Sequence, residues 1–276
     1  MKDIRVVDTT LRDGEQSAGI ALGLHEKIEI AKIIDKMGVY QIEAGIPIMG
    51  GIEKKSIIKI AEAGLRSRVS VWNRININDV KDSLDCGNVI IHVSVPSSDI
   101  QIQHKLGRSR GWVLDNLSRC IYTVKESGRE ITVGLEDASR ADLSFLKMVC
   151  ERCMKEGVSR VRYADTVGIL YAEKTYQDIK GLIESTNVDI EMHAHDDLGM
   201  AVANSVAAVS AGAVYVDTTI AGIGERAGNC NFLKFITAAK ERFKTFADYD
   251  LDKLEYMERE IIKRMKSKHI SLVKGL

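Results

Sequence analysis

The sequence has little of three things: unbalanced charge, long apolar runs and cysteine. Lysine plus arginine and aspartate plus glutamate both number 39, so the formal net charge is zero. This balance argues against nucleic acid or a polyanionic membrane surface as a partner. No run approaches the roughly 18 apolar residues that a membrane-spanning helix needs, and residues 1–8 have neither the length nor the pattern of a signal peptide.

The five cysteines are an odd number, which does not suit a closed set of disulfides. Cys150 and Cys153 form a C-x-x-C pair inside a predicted amphipathic helix, with no second pair in reach. Two buried helix cysteines are therefore the main interpretation, and a metal or redox pair is the alternative. This cysteine usage is typical of a reduced, soluble, cytoplasmic protein.

What the sequence has instead is a regular alternation of short apolar runs and amphipathic stretches. The apolar runs, rich in valine and isoleucine, predict strands at 4–8, 39–44, 69–72, 89–95, 131–135, 158–164, 188–193 and 214–219. The stretches between them predict helices at 25–37, 51–63, 110–126, 143–155, 172–184 and 200–211. Continuous apolar strands indicate a buried parallel sheet, and eight of them close a (β/α)8 TIM barrel.

The chain of 276 residues, 45% of them hydrophobic, is long enough for one full barrel domain. An open doubly wound sheet is the alternative, but the first strand is not followed by a convincing G-x-G-x-x-G motif. We predict a single catalytic domain over 1–246. A charged amphipathic helix at 251–266 and a short tail make up a C-terminal region, 247–276.

Polar residues gather at the ends of the predicted strands, which is the face that carries active sites in a barrel. The starts of the same strands show no such enrichment. This clustering predicts an enzyme. The polar residues at the strand ends include Glu43, Asn73, Arg74, His92, Ser94, Glu136, Asp137, Asp165, Thr166, His193 and His195.

Two histidines of this set have the spacing of metal ligands. His193 and His195 are two residues apart on one strand, so both face the same side of it. An imidazole pair suits a divalent metal, and a carboxylate or amide from another strand can complete the site. Asp13 in the first loop lies near strand seven in a closed barrel, and Asn229 follows strand eight. The alternative is that one histidine caps the next helix and the other is a packed polar residue.

Five motifs in this order resemble a known family. They are "DTTLRDGEQ" (8–16), "EAGIP" (43–47), "ADTVG" (164–168), "HAHDDLGMAVANS" (193–205) and "GIGERAGN" (222–229). The chain, from residue 3 to about residue 245, resembles the acyl-CoA-condensing metallolyase family of isopropylmalate, citramalate and homocitrate synthases. Hydroxymethylglutaryl-CoA lyase is a more distant member. The stretches 92–110 and 133–142 are most similar to the homocitrate synthases associated with nitrogen fixation.

The resemblance implies a TIM barrel with one divalent metal ion, held by Asp13, His193 and His195 with Asn229 close enough to join them. Mg, Mn, Zn, Fe and Co are all compatible with such a donor set. It further implies an acyltransferase that condenses acetyl-CoA with a 2-oxo acid. The main candidate for this acid is 2-oxoglutarate, and the product would then be homocitrate. An isopropylmalate or citramalate synthase, a stand-alone lyase or aldolase, and a non-catalytic subunit are the alternatives. Family members are usually homodimers.

The resemblance also assigns roles around the metal. Arg12 would donate to the oxygen that becomes an alkoxide, and Gln16 would order Arg12 and the substrate. Arg12 could instead form a buried ion pair with Glu43 or Asp8, and both interpretations can hold together. The glycines of the last motif have two interpretations. They bind a phosphate or the pantetheine of CoA close to the backbone, or they allow the loop to pack tightly.

Four residues are expected to touch the 2-oxo acid. Thr166 would bind its C1 carboxylate, while His92 and Ser94 share one face of their strand and line the same pocket. Arg162, two residues before Ala164 on the same strand face, is the candidate for a distal carboxylate. The alternative is an arginine that is paired at the lower rim of the barrel.

The chain departs from the family at its C-terminus. Full-length synthases continue into a region whose histidine helps to remove a proton from the acetyl-CoA methyl group, and a glutamate before the H-x-H orients it. Glu191 has this position, and we count it with Arg12 and Glu43 as a candidate catalytic residue. His269, in the tail, has the wrong context to replace the missing histidine. We expect a second polypeptide to supply it, docked over the C-terminal rim near 251–266. A reaction without that base and a degenerate paralogue are the alternatives.

Overall fold

Eight parallel strands follow one another around a closed barrel, and the last strand pairs with the first. The structure, a computed structural model, describes residues 3–266; His269 and the rest of the predicted tail lie outside this range. The closed sheet confirms the predicted TIM barrel and excludes an open doubly wound sheet. The strands are β1 (Arg5–Asp8), β2 (Gln41–Glu43), β3 (Arg68–Arg74), β4 (Ile90–Pro96), β5 (Ile131–Glu136), β6 (Arg160–Asp165), β7 (Asp189–Ala194) and β8 (Tyr215–Thr218).

Helices connect the strands and form the outer layer. Within the described residues they are α1 (Leu24–Lys36), α2 (Gly51–Ala61), α3 (Ile77–Leu84), α4 (Arg110–Glu126), α5 (Leu143–Lys155), α6 (Ala172–Thr186), α7 (Ala201–Ala211), α8 (Phe232–Lys240) and α9 (Leu251–Lys266). Each predicted helix is present, with ends that differ from the predicted ones by at most two residues. The helices α3 and α8 are additions to the prediction.

The cysteine pair lies in the helical layer. Cys150 and Cys153 are free thiols, fully buried on α5. Burial raises the pKa of Cys150 to about 12, so this thiol stays protonated. These facts confirm the interpretation as packed helix cysteines.

The interior of the barrel is polar, although the outward faces of the strands are apolar. Buried strand residues such as Val71, Val93 and Val133 have no exposed surface and belong to the core that the helices cover. The inward positions carry charged and amide side chains instead, which are Gln41, Glu43, Arg160, Arg162, Glu191 and Asp217. Buried charges are tolerated only when they are paired, and here they pair with one another.

The last helix, α9, packs against the barrel wall and reaches the catalytic rim. Its buried residues Leu254 and Met257 lie on the side that contacts α1 and α8. Glu258 accepts a hydrogen bond of 3.1 Å from the main-chain nitrogen of Ala221, in the turn after β8. No helix among residues 3–266 is both long and apolar enough to cross a membrane.

Candidate active site

A cavity of about 200 Å³ opens where the strands end, as expected for a barrel enzyme. Most of the predicted site residues line it, while Glu43, Glu191 and Asn229 lie behind its wall. The lining residues are Arg12, Asp13, Gln16, Ile46, Trp72, His92, Ser94, Gly134, Glu136, Arg162, Ala164, Thr166, His193, His195 and Glu225.

Asp13, His193 and His195 converge on one point at the cavity wall. The Nε2 atoms of the two histidines are 3.4 Å apart. The Oδ2 atom of Asp13 lies 3.3 Å from Nε2 of His193 and 4.0 Å from Nε2 of His195. Donors that share one metal ion, each about 2.0–2.2 Å from it, have separations of this size. All three residues are buried, and the structure therefore brings the predicted ligands together.

Asp217, which the sequence did not single out, holds one of these histidines. Its Oδ2 lies 2.9 Å from Nδ1 of His193, so the ring turns Nε2 toward Asp13. Burial alone would lower the pKa of His193, but hydrogen bonds to Asp13 and Asp217 outweigh it and raise the pKa to about 9. Burial and the neighbouring His193 lower the pKa of His195 to about 4. An aspartate inside the otherwise apolar eighth strand was the available signal.

Asn229 lies beside these three residues, in the loop after β8. Its Nδ2 donates to Oδ1 of Asp13 (2.9 Å) and to the carbonyl of Ile223 (3.1 Å). Its Oδ1 is buried without a hydrogen-bond partner among the described residues, as is Nδ1 of His195. A buried oxygen without a partner is costly, and a cation beside it would remove that cost.

The glycines of this loop are explained by close packing. A Cβ atom on Gly224 would lie 2.0 Å from Nδ2 of Asn229 and 3.2 Å from Oδ1 of Asp13. A Cβ atom on Gly228 would lie 2.0 Å from the carbonyl oxygen of Gly222. A Cβ atom would therefore press on backbone at position 228 and on the Asn229 side chain at position 224. The close contacts support the tight-packing interpretation and make the loop part of the structure that holds Asn229 and Asp13.

The charges around the site form one buried network. It joins four carboxylates and three guanidinium groups, those of Asp13, Glu43, Glu191, Asp217, Arg12, Arg160 and Arg162. His193, paired with Asp13 and Asp217, balances the fourth carboxylate when it is protonated, and a cation bound at its Nε2 would take that place. Arg12 and the histidines hold the pKa of Asp13 well below its usual range although burial acts in the other direction. Two imidazoles, an ionised carboxylate and a free amide oxygen thus fit a divalent metal ion.

Arg12 spans the metal ligands and the barrel interior. Its Nη1 donates to Asp13 over 2.7 Å, and its Nε and Nη2 atoms lie 3.3–3.4 Å from the carboxylate of Glu43. The predicted ion pair with Glu43 is present, whereas Asp8 accepts from Thr10 instead. Gln16 lines the cavity, but within residues 3–266 its side chain makes no hydrogen bond to Arg12. Asp13 and Glu43 therefore hold Arg12 in place.

Arg162 lies below the metal ligands and also faces the cavity. Its Nε is 2.5 Å from Glu191 and 2.8 Å from Asp217, and its Nη1 is 3.0 Å from Glu43. Its Nη2 is buried and has no hydrogen-bond partner among the described residues. Arg162 is therefore not a lower-rim arginine; it is paired in the interior and presents one free donor.

Glu191 does not reach the cavity. It contacts Arg162 on one side and, over 3.2 Å, Nη1 of Arg160 on the other. These two arginines lower the pKa of Glu191 against the opposing effect of burial. The sequence made Glu191 a candidate catalytic residue, but its carboxylate pairs with the two arginines.

The remaining predicted residues line the cavity from β4 and from the loop after β6. Nδ1 of His92 lies 2.9 Å from Oγ1 of Thr132, and a Cβ atom on Gly134 would lie 2.5 Å from Nε2 of His92. The hydroxyl of Ser94 donates to Glu136 over 3.3 Å. The Oγ1 atom of Thr166 accepts a hydrogen bond of 2.8 Å from the main-chain nitrogen of Asp137.

Comparison with known proteins agrees with this geometry. Residues 3–261 match the family model described as HMGL-like. The homocitrate synthase subunit alpha of Clostridium pasteurianum is 56% identical over 238 residues, which are 86% of this chain and 88% of that protein. The 2-isopropylmalate synthase 2 of Caldanaerobacter subterraneus is 44% identical over 258 residues, which are 93% of this chain but only 66% of that protein.

A solved structure supports the fold. The HMG-CoA lyase of Bacillus subtilis superposes with a TM-score of 0.81 at 18% identity, and the match covers 100% of this chain and 99% of that one. Likeness at this identity shows the shared barrel alone. The family model, by contrast, covers nearly the whole chain, and the resemblance of the five motifs is confirmed. The chain belongs to the HMGL-like family.

Proposed function

We propose that this protein is an acyltransferase that condenses acetyl-CoA with a 2-oxo acid, and that the acid is 2-oxoglutarate. The observation that carries the proposal is the convergence of Asp13, His193, His195 and Arg12 on one wall of the cavity. The 56% identity to the Clostridium homocitrate synthase subunit supports this reaction over the other members of the family.

Asp13, His193 and His195 would hold a divalent metal ion, with Asn229 as an additional oxygen donor. Such an ion polarises a carbonyl group as a Lewis acid and makes its carbon easier to attack. The structure supports no choice among Mg, Mn, Zn, Fe and Co, because histidine and oxygen donors accept all of them.

The protein groups would orient the acid and stabilise its developing charge. Arg12 is fixed by two carboxylates beside the ligands, where its guanidinium can donate to the oxygen that gains charge as the carbonyl is attacked. A preorganised donor of this kind typically contributes a few kcal/mol to catalysis. Thr166 would donate to the C1 carboxylate from the loop after β6, beside the strand that carries the histidines.

The distal carboxylate of 2-oxoglutarate would bind the free Nη2 of Arg162. That atom is buried and has no partner among the described residues, and Arg162 is one of the residues at the cavity wall, so an anionic group that reaches Nη2 would satisfy it. His92 and Ser94 would complete the same end of the pocket. A monocarboxylic acid such as pyruvate would leave this donor unsatisfied.

A second polypeptide would supply the base that the condensation needs. The methyl protons of a thioester are weakly acidic, and a positioned general base contributes about 10² to 10⁴-fold. Burial and the charge of Arg162 hold the pKa of His92 well below its usual range, which makes it a weak proton acceptor. Glu191 lies behind the wall against two arginines.

Two observations support such a partner at the catalytic rim. The Clostridium relative is itself named a subunit, and this chain covers 88% of it. Large apolar side chains are exposed in four loops at that rim: Met49, Ile100, Tyr171 and Leu198. Exposed apolar groups gathered on one face are typical of interaction sites. A homodimer and a cytoplasmic location stay predictions.

The experiment is an assay of free CoA release from acetyl-CoA, with 2-oxoglutarate, 2-oxoisovalerate, pyruvate and glyoxylate in turn. We expect little release from the chain alone, and 2-oxoglutarate-dependent release after co-expression with a subunit that carries the family's C-terminal histidine. A kcat of about 1 s⁻¹ or more from the isolated chain, within the ordinary enzyme range, would refute the need for a partner base. Preference for 2-oxoisovalerate or pyruvate would instead indicate an isopropylmalate or citramalate synthase.

A further inference from the structure

Asp137 has a backbone conformation that is uncommon for residues other than glycine, although aspartate adopts it more often than most. It follows β5 with φ 63° and ψ 36°, the left-handed region, and its side chain is fully buried. Residues other than glycine adopt this region at a cost, and they persist in it only when the surroundings hold them there. The contacts that hold Asp137 therefore indicate what the conformation is for.

The carboxylate of Asp137 is fixed by two groups. Ser98, in the loop after β4, donates from its hydroxyl over 2.5 Å, and Arg140 donates from Nε and Nη2 over 2.8 and 2.7 Å. The preceding carbonyl, of Glu136, accepts a hydrogen bond of 2.7 Å from the hydroxyl of Ser97. The carbonyl of Glu136 and the carboxylate of Asp137, on either side of their shared peptide bond, are thus both hydrogen-bonded to the loop after β4.

This fixed peptide directs one hydrogen bond to the cavity wall. The main-chain nitrogen of Asp137 donates to Oγ1 of Thr166 over 2.8 Å. The carbonyl of Thr166 in turn accepts from Nη2 of Arg226 over 2.8 Å, so the backbone of Thr166 is also held. The Thr166 side chain lines the cavity between these two anchors.

The hydrogen bond decides which way the threonine hydroxyl points. A hydroxyl group has one proton and two lone pairs, and one lone pair of Thr166 already accepts from Asp137. The proton must therefore point away from Asp137, and the cavity lies on the open side. We propose that Asp137 is a positioning residue that makes Thr166 a hydrogen-bond donor to the C1 carboxylate of the 2-oxo acid. This inference rests on the proposed function and deepens it.

A double-mutant cycle tests the proposal. The affinity for 2-oxoglutarate is measured by titration calorimetry in the presence of Mn²⁺ for the wild-type chain, Asp137→Ala, Thr166→Val and the double variant. Loss of a hydrogen bond to the charged carboxylate should weaken the binding of 2-oxoglutarate by about tenfold or more. Both single variants should show this loss, and the double variant should be no weaker than either. Asp137→Gly, which tolerates the left-handed conformation, should bind more tightly than Asp137→Ala.

Asn187 offers a matched control, because it is also left-handed, with φ 55°, and ends α6 at the opposite face of the barrel. Asn187→Ala should lower the melting temperature but leave the affinity unchanged. If Asp137→Ala does not fold, Arg140→Met removes one contact of the carboxylate from the surface. It should weaken binding in the wild-type background and not in Thr166→Val.

The outcomes separate this inference from the proposed function. Additive losses in the cycle, with 2-oxoglutarate bound by the wild-type chain, overturn the role of Asp137 alone. If the chain binds pyruvate or 2-oxoisovalerate instead, the assigned substrate is wrong, and the same cycle on that acid decides the inference. If it binds none of these acids, both proposals fall.

Discussion

At the scale of single residues, Arg162 combines a structural and a recognition role. Three buried carboxylates neutralise its charge, yet its buried Nη2 has no partner among the described residues, and the residue lies at the cavity wall. Replacing it with an apolar residue would remove one buried cation and leave Glu43, Glu191 and Asp217 with only Arg12, Arg160 and His193 as partners, which is destabilising. The informative substitution keeps the charge and removes the fork of donors.

We predict that Arg162→Lys lowers kcat/KM for 2-oxoglutarate by about tenfold or more. The decrease in kcat/KM for pyruvate should be smaller. The reason is that a lysine ammonium can replace only part of the pairing and leaves no donor for the distal carboxylate. The measurement is the CoA-release assay with both acids. Arg160→Lys is the matched control, because Arg160 also pairs with Glu191 but does not line the cavity. Equal losses on both acids would make Arg162 a structural residue only.

The convergence of Asp13, His193 and His195 was predictable from the sequence, and the residues behind them were not. The H-x-H spacing and the position of Asp13 depend only on strand periodicity and on which strands are neighbours in a barrel. Asp217 and Glu191 depend on the register between strands and on side-chain direction, which the sequence does not reveal. The register pairs Arg162 with Glu191, and this pairing turns Glu191 away from the cavity.

At the scale of elements, the strands were predicted well because each is a short apolar run with clear ends. Two helices were missed for different reasons. The helix α3 has eight residues, which is shorter than the roughly 11 residues over which a helical period can be recognised. The helix α8 follows directly after the glycine loop 222–229, and its nine residues are too few for a clear pattern beside that loop.

The glycine loop gives a prediction at this scale. Gly224→Ala should weaken metal binding, because the new Cβ atom would displace the amide of Asn229 and press on Asp13. We expect the dissociation constant for Mn²⁺, measured by calorimetry, to rise by about tenfold or more, which is the loss typical of disturbed ligand support.

Gly181 in α6 is the control for that substitution. Nothing lies within 4 Å of a Cβ atom added there, and alanine is the better helix former, so Gly181→Ala should raise stability slightly and leave metal binding unchanged. An unchanged dissociation constant for Gly224→Ala would show that the loop does not support the metal ligands.

At the scale of the whole molecule, the metal should stabilise the fold. A ligand that binds only the folded state at 100 times its dissociation constant adds about 2.7 kcal/mol to the free energy of unfolding. For a domain of this size that corresponds to a rise of roughly 5–10 °C in melting temperature. Differential scanning calorimetry with Mn²⁺ and with chelator should show this difference for the wild-type chain.

His195→Ala should fold and lose this stabilisation, because the barrel core consists of other residues and the variant lacks one ligand. Its melting temperature should be the same with Mn²⁺ and with chelator. A rise equal to that of the wild-type chain would mean that His195 is not a ligand.

The paired charges inside the barrel constrain how such a chain can diverge. A descendant that recognises a different acid by replacing Arg162 would inherit three buried carboxylates with too few positive partners. Such a replacement is tolerated only when Glu43, Glu191 or Asp217 is replaced by an uncharged residue at the same time or beforehand. Substitutions at position 162 should therefore co-vary with those three positions across descendants. A change of substrate in this barrel would then proceed through linked replacements rather than single ones.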